Sequence, residues 1–150
     1  MKFSDAGVEL AVYFEGIRTR PYRDCVGYWT VGIGTLIGNG LSLPDSWNRE
    51  FTVEECYALF RNELENIESG IPKLITVELT QGQYDSLVDF TYNLGLGTLQ
   101  RSTLRQKLNR KDYEGAAKEL LRFVKAGGII RQGLVLRRVA EMNMFLGLKP

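Results

Sequence analysis

The sequence contains no histidine and only two cysteines, Cys25 and Cys56. Without histidine there is no Ser-His or Cys-His nucleophile pair, no His-ligated zinc and no histidine general base, so catalysis would run on carboxylates, hydroxyls, lysine or arginine. Two cysteines make no disulfide framework, and their spacing matches neither a zinc knuckle nor a Cys-x-x-Cys pair, so both read as reduced thiols. Apolar runs of about 18 residues are also missing, and Met1-Lys2-Phe3-Ser4-Asp5 lacks the basic-then-apolar order of an export signal. A product that stays in the cytosol until something releases it is the expectation. What remains is ordinary: 150 residues, 44% hydrophobic and 25% charged, fit one globular domain over residues 1–150.

Ser4 or Asp5 can cap a first helix and Gly16 can close it, which predicts a helix over residues 5–15. Its apolar stripe, Val8, Ala11 and Val12, continues onto Glu15. From Arg18 to Leu36 the helical period gives way to aromatic and β-branched residues broken by Pro21, Gly27, Gly32 and Gly34, which predicts two or three short antiparallel strands. Residues 38–50 read as a turn-rich loop. Thr52-Val53-Glu54-Glu55 is a capping box opening a helix to about Ser69, stopped by Gly70 and Pro72. A second box, Thr80-Gln81-Gly82-Gln83, opens a core helix ending at Gly95. Helical periods over 102–109, 112–125 and 133–146, the last with Val135, Val139, Met142 and Leu146 inward, predict an all-helical back half.

A carboxyl group on an apolar stripe, as at Glu15, loses solvation in its ionised form, the condition for a general acid. Asp24 sits in a polar turn that suits an anion, and Thr30 lies one strand further on. Two carboxyl groups in unlike surroundings are what glycosidic cleavage requires, one to protonate the leaving oxygen and one to activate water. The same positions fit plainer roles: Glu15 can pair with Arg18, Arg20 or Arg23, Asp24 can shape a hairpin turn, and Thr30 can be a strand residue. Position alone leaves both readings open.

Taken together, Glu15-Gly16, Tyr22-Arg23-Asp24 and Gly27-Tyr28-Trp29-Thr30-Val31-Gly32-Ile33-Gly34 closely resemble the N-terminal signature of the phage-type lysozymes, the family of the T-even bacteriophage lysozyme. The spacing Glu-x8-Asp-x5-Thr matches that family's catalytic pattern. Leu79 to Asp85, Asn93-Leu94-Gly95, Arg101 to Leu104, Ala126-Gly127-Gly128 and Gly133 to Arg138 extend the resemblance over nearly the whole chain. It implies an α+β, predominantly helical, lysozyme-like two-lobe fold. A small antiparallel sheet lobe would span about residues 16–50, and a helical lobe about residues 72–150 would pack with the N-terminal helix, with a cleft between them.

The resemblance further implies a peptidoglycan hydrolase of the endolysin type, cutting the β-1,4 bond between N-acetylmuramic acid and N-acetylglucosamine. Glu15 would be the general acid, Asp24 the second carboxylate and Thr30 its partner on the attacking water, with inversion and a carboxyl separation of roughly 6.5–9.5 Å. Leu36, Tyr92 and Ser102 are the implied substrate contacts. The implied protein is a monomer without metal or other cofactor and without a membrane anchor. It would wait in the host cytoplasm until a separate holin gives it access to the periplasm and cell wall. Thr35 departs from the pattern, standing where lysozymes of this group commonly carry histidine, so a change in local stability or pH response is expected there. Cys25, beside Asp24, reads as a half-buried thiol.

Charge is distributed unevenly: residues 1–100 hold 7 Lys and Arg against 14 Asp and Glu, and residues 101–150 hold 12 against 4. Arg122, Lys125, Arg131, Arg137 and Arg138 would form either a polyanion-binding surface or solvated helix faces paired with Glu114, Glu119 and Glu141. No nucleic-acid motif accompanies them, and the expected partner is bacterial peptidoglycan, not nucleic acid. A lytic transglycosylase needs no water-activating carboxylate and a catalytically dead wall binder needs no acid, so Asp24, Thr30 and Glu15 favour hydrolysis over both.

Overall fold

The computed structural model describes residues 1–150. The chain divides into two compact units, one formed by Val12–Glu63 and the other by Met1–Ala11 with Leu64–Pro150. The first helix, α1 (Asp5–Glu15), and α2 (Val53–Leu74) each contribute residues to both.

In the Val12–Glu63 unit, β1 (Arg18–Arg23), β2 (Trp29–Gly32) and β3 (Thr35–Leu36) form an antiparallel sheet in that order, as the aromatic and β-branched composition predicts. Pro21 lies inside β1, where its missing N–H is tolerated because β1 is an edge strand whose register shifts between Arg18 and Tyr22. Tyr22 pairs with Thr30, and Thr30 with Leu36, so these three side chains stand on one face of the sheet. The other face carries Val31, which with Ile37, Phe51 and Cys56 forms a small buried core flanked by Trp29, Leu43, Trp47 and Leu59. The predicted loop over 38–50 contains one 3-10 turn, Asp45–Trp47. The Thr52 capping box forms as predicted: Glu55 N–H donates to Thr52 Oγ1 and Thr52 N–H to Glu55 Oε1, each at 3.0 Å.

In the other unit, α3 (Gln81–Leu94) is the central helix. Thr80 and Gln83 complete its capping box, and every residue from Tyr84 to Thr91 is buried. It packs mainly on α7 (Gln132–Phe145). The short helices α4 (Leu96–Arg101), α5 (Thr103–Asn109) and α6 (Tyr113–Glu119) bury Leu99, Leu104, Leu108, Ala116 and Ala117.

Four local expectations are corrected. First, α2 runs through Gly70 and Pro72 instead of stopping near Ser69. Buried Ile71 and Ile75 anchor its last turn, exposed Pro72 gives up a single helical hydrogen bond, and the missing side chain at Gly70 leaves room for Leu96, whose Cδ1 would stand 2.7 Å from a Cβ there. Second, α4 forms where no period was visible. Third, the back half is not all helix: α6 ends at Glu119, a 3-10 turn covers Leu120–Arg122, and β4 (Lys125–Ala126) and β5 (Ile129–Ile130) make a hairpin around Gly127-Gly128. Fourth, α7 does not turn Val135, Val139, Met142 and Leu146 inward. Its buried residues are Arg137, Arg138, Ala140, Glu141, Met144 and Phe145, while Val139 and Leu146 are exposed.

Arg137 and Arg138 therefore belong to no polyanion-binding surface. Arg137 grips Asp89 with Nε on Oδ2 at 2.9 Å and Nη2 on Oδ1 at 2.8 Å. Arg138 lies with Nε 3.0 Å from Glu141 Oε1 and donates through Nη2 to Asn93. Arg122 pairs with Glu119 at 2.9 Å.

Candidate active site

Glu15 is the last residue of α1, and Gly16 closes the helix by donating its N–H to the Val12 carbonyl at 2.8 Å. Its half-buried side chain lies directly against the bend after β2. Gly34 has φ +68°, which favours glycine, and a Cβ built on it would stand 2.6 Å from Glu15 Cδ, so any side chain there would push the Glu15 carboxyl aside. The helix end and the Gly-Ile-Gly bend thus hold one carboxyl group between them.

Asp24 follows β1 in a tight turn. Its N–H donates to the Tyr28 carbonyl and Gly27 N–H donates to the Asp24 carbonyl, both at 2.9 Å. Asp24 Oδ1 accepts from Val26 N–H at 3.0 Å and Tyr28 N–H at 2.8 Å, which fixes the carboxylate and leaves Oδ2 as its outward acceptor. Thr30 is buried at 6% exposure and its hydroxyl donates to the Tyr28 carbonyl at 3.0 Å, so its remaining lone pair accepts. The backbone of Tyr28 pins both residues.

Tyr22 joins this group, a placement the residue-by-residue reading missed. It is the cross-strand partner of Thr30. Burial pushes its phenol above the ordinary value of 10.0, and the charges of Glu15 and Asp24 push it the same way, while Arg18 opposes them. One phenol thus feels both carboxylates. The signal was present in the sequence, because Tyr22 precedes Asp24 by two positions in an extended run and so shares its side of the chain. The Arg18 guanidinium sits 4.3 Å from the Tyr22 ring centroid.

Among the proposed substrate contacts, Leu36 lies in this unit, opposite Thr30 on β3, and is 50% exposed. Tyr92 and Ser102 lie in the other unit. Tyr92 is half-buried in the last turn of α3. Ser102 caps α5: its hydroxyl donates to the Leu99 carbonyl at 2.7 Å and accepts from Arg105 N–H at 3.0 Å. It lines a cavity of about 290 Å³ with Thr98, Arg101, Thr103, Arg122 and Phe123. Both cysteines are free thiols, as expected, but Cys25 is exposed instead of half-buried, while Cys56 is buried. No group of three or more His, Cys, Asp or Glu residues is arranged to hold a metal ion.

The chain is similar to known proteins over most of its length. The family profile described as phage lysozyme matches residues 12–141. The chain is 38% identical over 148 residues to the endolysin of Bacillus phage B103, covering 97% of this chain and 54% of that one. It is 37% identical over 134 residues to the SAR-endolysin of Escherichia phage Mu, covering 89% and 75%. It thus spans about half the length of the Bacillus phage relative and three quarters of the Mu protein. Among solved structures, the endolysin from Escherichia coli O157:H7 phage FAHEc1 superposes with a TM-score of 0.85 at 28% identity, covering 100% of this chain and 97% of that chain. The chain belongs to the phage lysozyme family.

Proposed function

We propose that the protein is a peptidoglycan hydrolase of the endolysin type, cleaving the β-1,4 bond between N-acetylmuramic acid and N-acetylglucosamine with inversion. The observation that carries this reading is the pair of carboxyl groups in different settings around one phenol: Glu15 held against Gly34, Asp24 held by two backbone N–H groups, both acting on Tyr22. Glu15 gives its proton to the glycosidic oxygen as the bond to the sugar C1 breaks. A water molecule, accepted by Thr30 Oγ1 and Asp24 Oδ2, attacks C1 from the opposite face and passes its proton to Asp24. Thr30 can accept because its own proton is committed to the Tyr28 carbonyl. Asp24 remains an acceptor because only Oδ1 is taken by the backbone.

Leu36, Tyr92 and Ser102 are the side chains assigned to contact the glycan. On the same reading the protein works as a monomer and reaches the wall from the host cytoplasm through a hole made by a separate holin-like protein. No helix is long and apolar enough to cross a membrane.

The test is the clearing of purified peptidoglycan suspensions. The wild-type protein should clear them, while Glu15→Gln and Asp24→Asn, folded by circular dichroism, should each lose about 10²- to 10⁴-fold in rate. Wild-type protein that binds the sacculus without clearing it would overturn the reading.

A further inference from the structure

Two large apolar side chains beside Asp24 are left in water: Tyr28 at 42% exposure and Leu36 at 50%. Single exposed apolar residues are commonplace, but these two are seated on a common support. Gly40 is buried beneath them at φ +79°, and a Cβ added there would stand 2.8 Å from both Leu36 Cδ1 and Tyr28 Cβ. The Gly40 carbonyl accepts the Trp29 N–H at 2.9 Å, and Gly40 N–H donates to the Ile37 carbonyl at 2.8 Å, locking the support to the segments that carry both side chains. The result is a fixed ledge with one aromatic and one aliphatic member. The Tyr28 hydroxyl takes part in no hydrogen bond within the protein.

The backbone of Tyr28 is the same one that donates to Asp24 Oδ1 and accepts from Asp24 N–H and the Thr30 hydroxyl. A pyranose ring resting on this ledge would therefore be registered against Asp24 and Thr30 through one residue. The C–H face of a sugar is apolar and its rim is polar, which suits an aromatic ring ending in an unpaired hydroxyl.

We propose that Tyr28, standing beside the Leu36 side chain that the hydrolase reading already assigns to the glycan, is a further substrate-binding residue that completes a stacking ledge for an N-acetylated sugar ring of a β-1,4 glycan next to Asp24. The identity of the ligand rests on the hydrolase reading above. Because Tyr28 holds Asp24 and Thr30 only through its backbone, removing its ring weakens sugar binding and leaves the carboxylate in place. The loss falls on KM and not on kcat.

The experiment has a binding arm and a kinetic arm. In the Glu15→Gln background, which stops turnover, the N-acetylglucosamine trimer is titrated by calorimetry against proteins carrying Tyr28, Tyr28→Phe, Tyr28→Ala, Leu36→Ala and the double alanine variant. Tyr28→Ala should weaken the trimer about tenfold and Tyr28→Phe less than about threefold. The double variant should lose less than the product of the single losses, because the two side chains share one surface. On solubilised glycan strands, Tyr28→Ala should raise KM by the same factor with kcat within about twofold. Trimer affinity that is unchanged in Tyr28→Ala, undetectable with Tyr28 in place, or lost equally in Tyr28→Phe would overturn the ledge. Tyr28-dependent trimer binding without glycan cleavage by the wild-type protein would uphold the ledge and overturn the hydrolase reading instead.

Discussion

The buried cluster between α3 and α7 sets up the sharpest stability prediction. The Asp89 and Arg137 side chains are 0% and 4% exposed and meet in a two-bond fork. Burial opposes ionisation of Asp89, but the charge of Arg137, with hydrogen bonds from Glu141 and Arg137, outweighs it and holds the group below its ordinary 3.8. Glu141 goes the other way: burial, then the hydrogen bond to Asp89 and its negative charge, hold it well above 4.5 against the pull of Arg138 and Arg137. The opposite directions predict that a proton held by the pair sits on Glu141. Arg137→Met strips the fork from a buried carboxylate, a loss of about 3–5 kcal/mol. For a chain of this size each kcal/mol moves Tm by about 2–4 °C, so melting should fall by roughly 6–20 °C.

Glu141→Gln should behave differently, because a neutral amide keeps the shape of the protonated acid and can still donate to Asp89; its Tm at pH 5 should stay within about 3 °C of wild type. The sign with pH follows from the two shifts. With its folded pKa raised, Glu141 contributes stability that is full below about 4.5 and lost as pH rises through the folded value. With its folded pKa depressed, Asp89 contributes stability present above about 3.8 and lost as pH falls through the folded value. Wild type should therefore lose Tm relative to Glu141→Gln as pH is raised from 5 to 8 in calorimetric melts. A Glu141→Gln protein that melts as low as Arg137→Met across this range would refute the shared proton and make Glu141 an obligate anion.

Three further outcomes follow from single contacts. Gly34→Ala puts a methyl group 2.6 Å from Glu15 Cδ at a positive φ, so it should cut the rate of peptidoglycan clearing at least about tenfold and lower Tm by a few degrees; full activity would mean that Glu15 is not held by this bend. Thr35 Oγ1 is buried without a hydrogen-bond partner, so Thr35→Val should gain about 1 kcal/mol and raise Tm by about 2–4 °C in thermal melts, whereas a lower Tm would show that the hydroxyl is satisfied in solution. Thr52→Ala removes the cap of α2 and should cost about 1 kcal/mol by urea denaturation, with clearing activity unchanged; no change in stability would show that the capping box contributes nothing.

Local chemistry with strong, short-range rules was readable in the sequence. The Gly16 stop, both capping boxes and the sheet over residues 18–36 depend on neighbours a few positions apart, and they form as read. Gly127-Gly128 between Lys125-Ala126 and Ile129-Ile130 is itself a hairpin signal, but a helical period running into it made it read as a helix stop. Pro72 misled because a local breaking rule is overridden when Ile71 and Ile75 are buried by tertiary packing. The buried face of α7 was unreadable from hydrophobicity, since it mixes Ala140, Met144 and Phe145 with Arg137, Arg138 and Glu141, and the arginines' partners Asp89 and Asn93 lie far off in the chain. In the candidate site, Glu15, Asp24 and Thr30 stand out by position, but position alone left structural and catalytic roles open, and the catalytic roles proposed for them rest on the family resemblance. The roles of Tyr22 and Gly40 required knowing which strands pair and what sits over the glycine.

The central claim is tested most directly by the sugar ends produced from purified peptidoglycan, with wild-type and Glu15→Gln proteins compared by mass spectrometry and the anomeric form followed by NMR. Free reducing N-acetylmuramic ends from the wild type alone, appearing first as the α-anomer, are the predicted result. Anhydro-muramic ends, β-anomer appearing first, or intact glycan after exposure to the wild-type protein would contradict it.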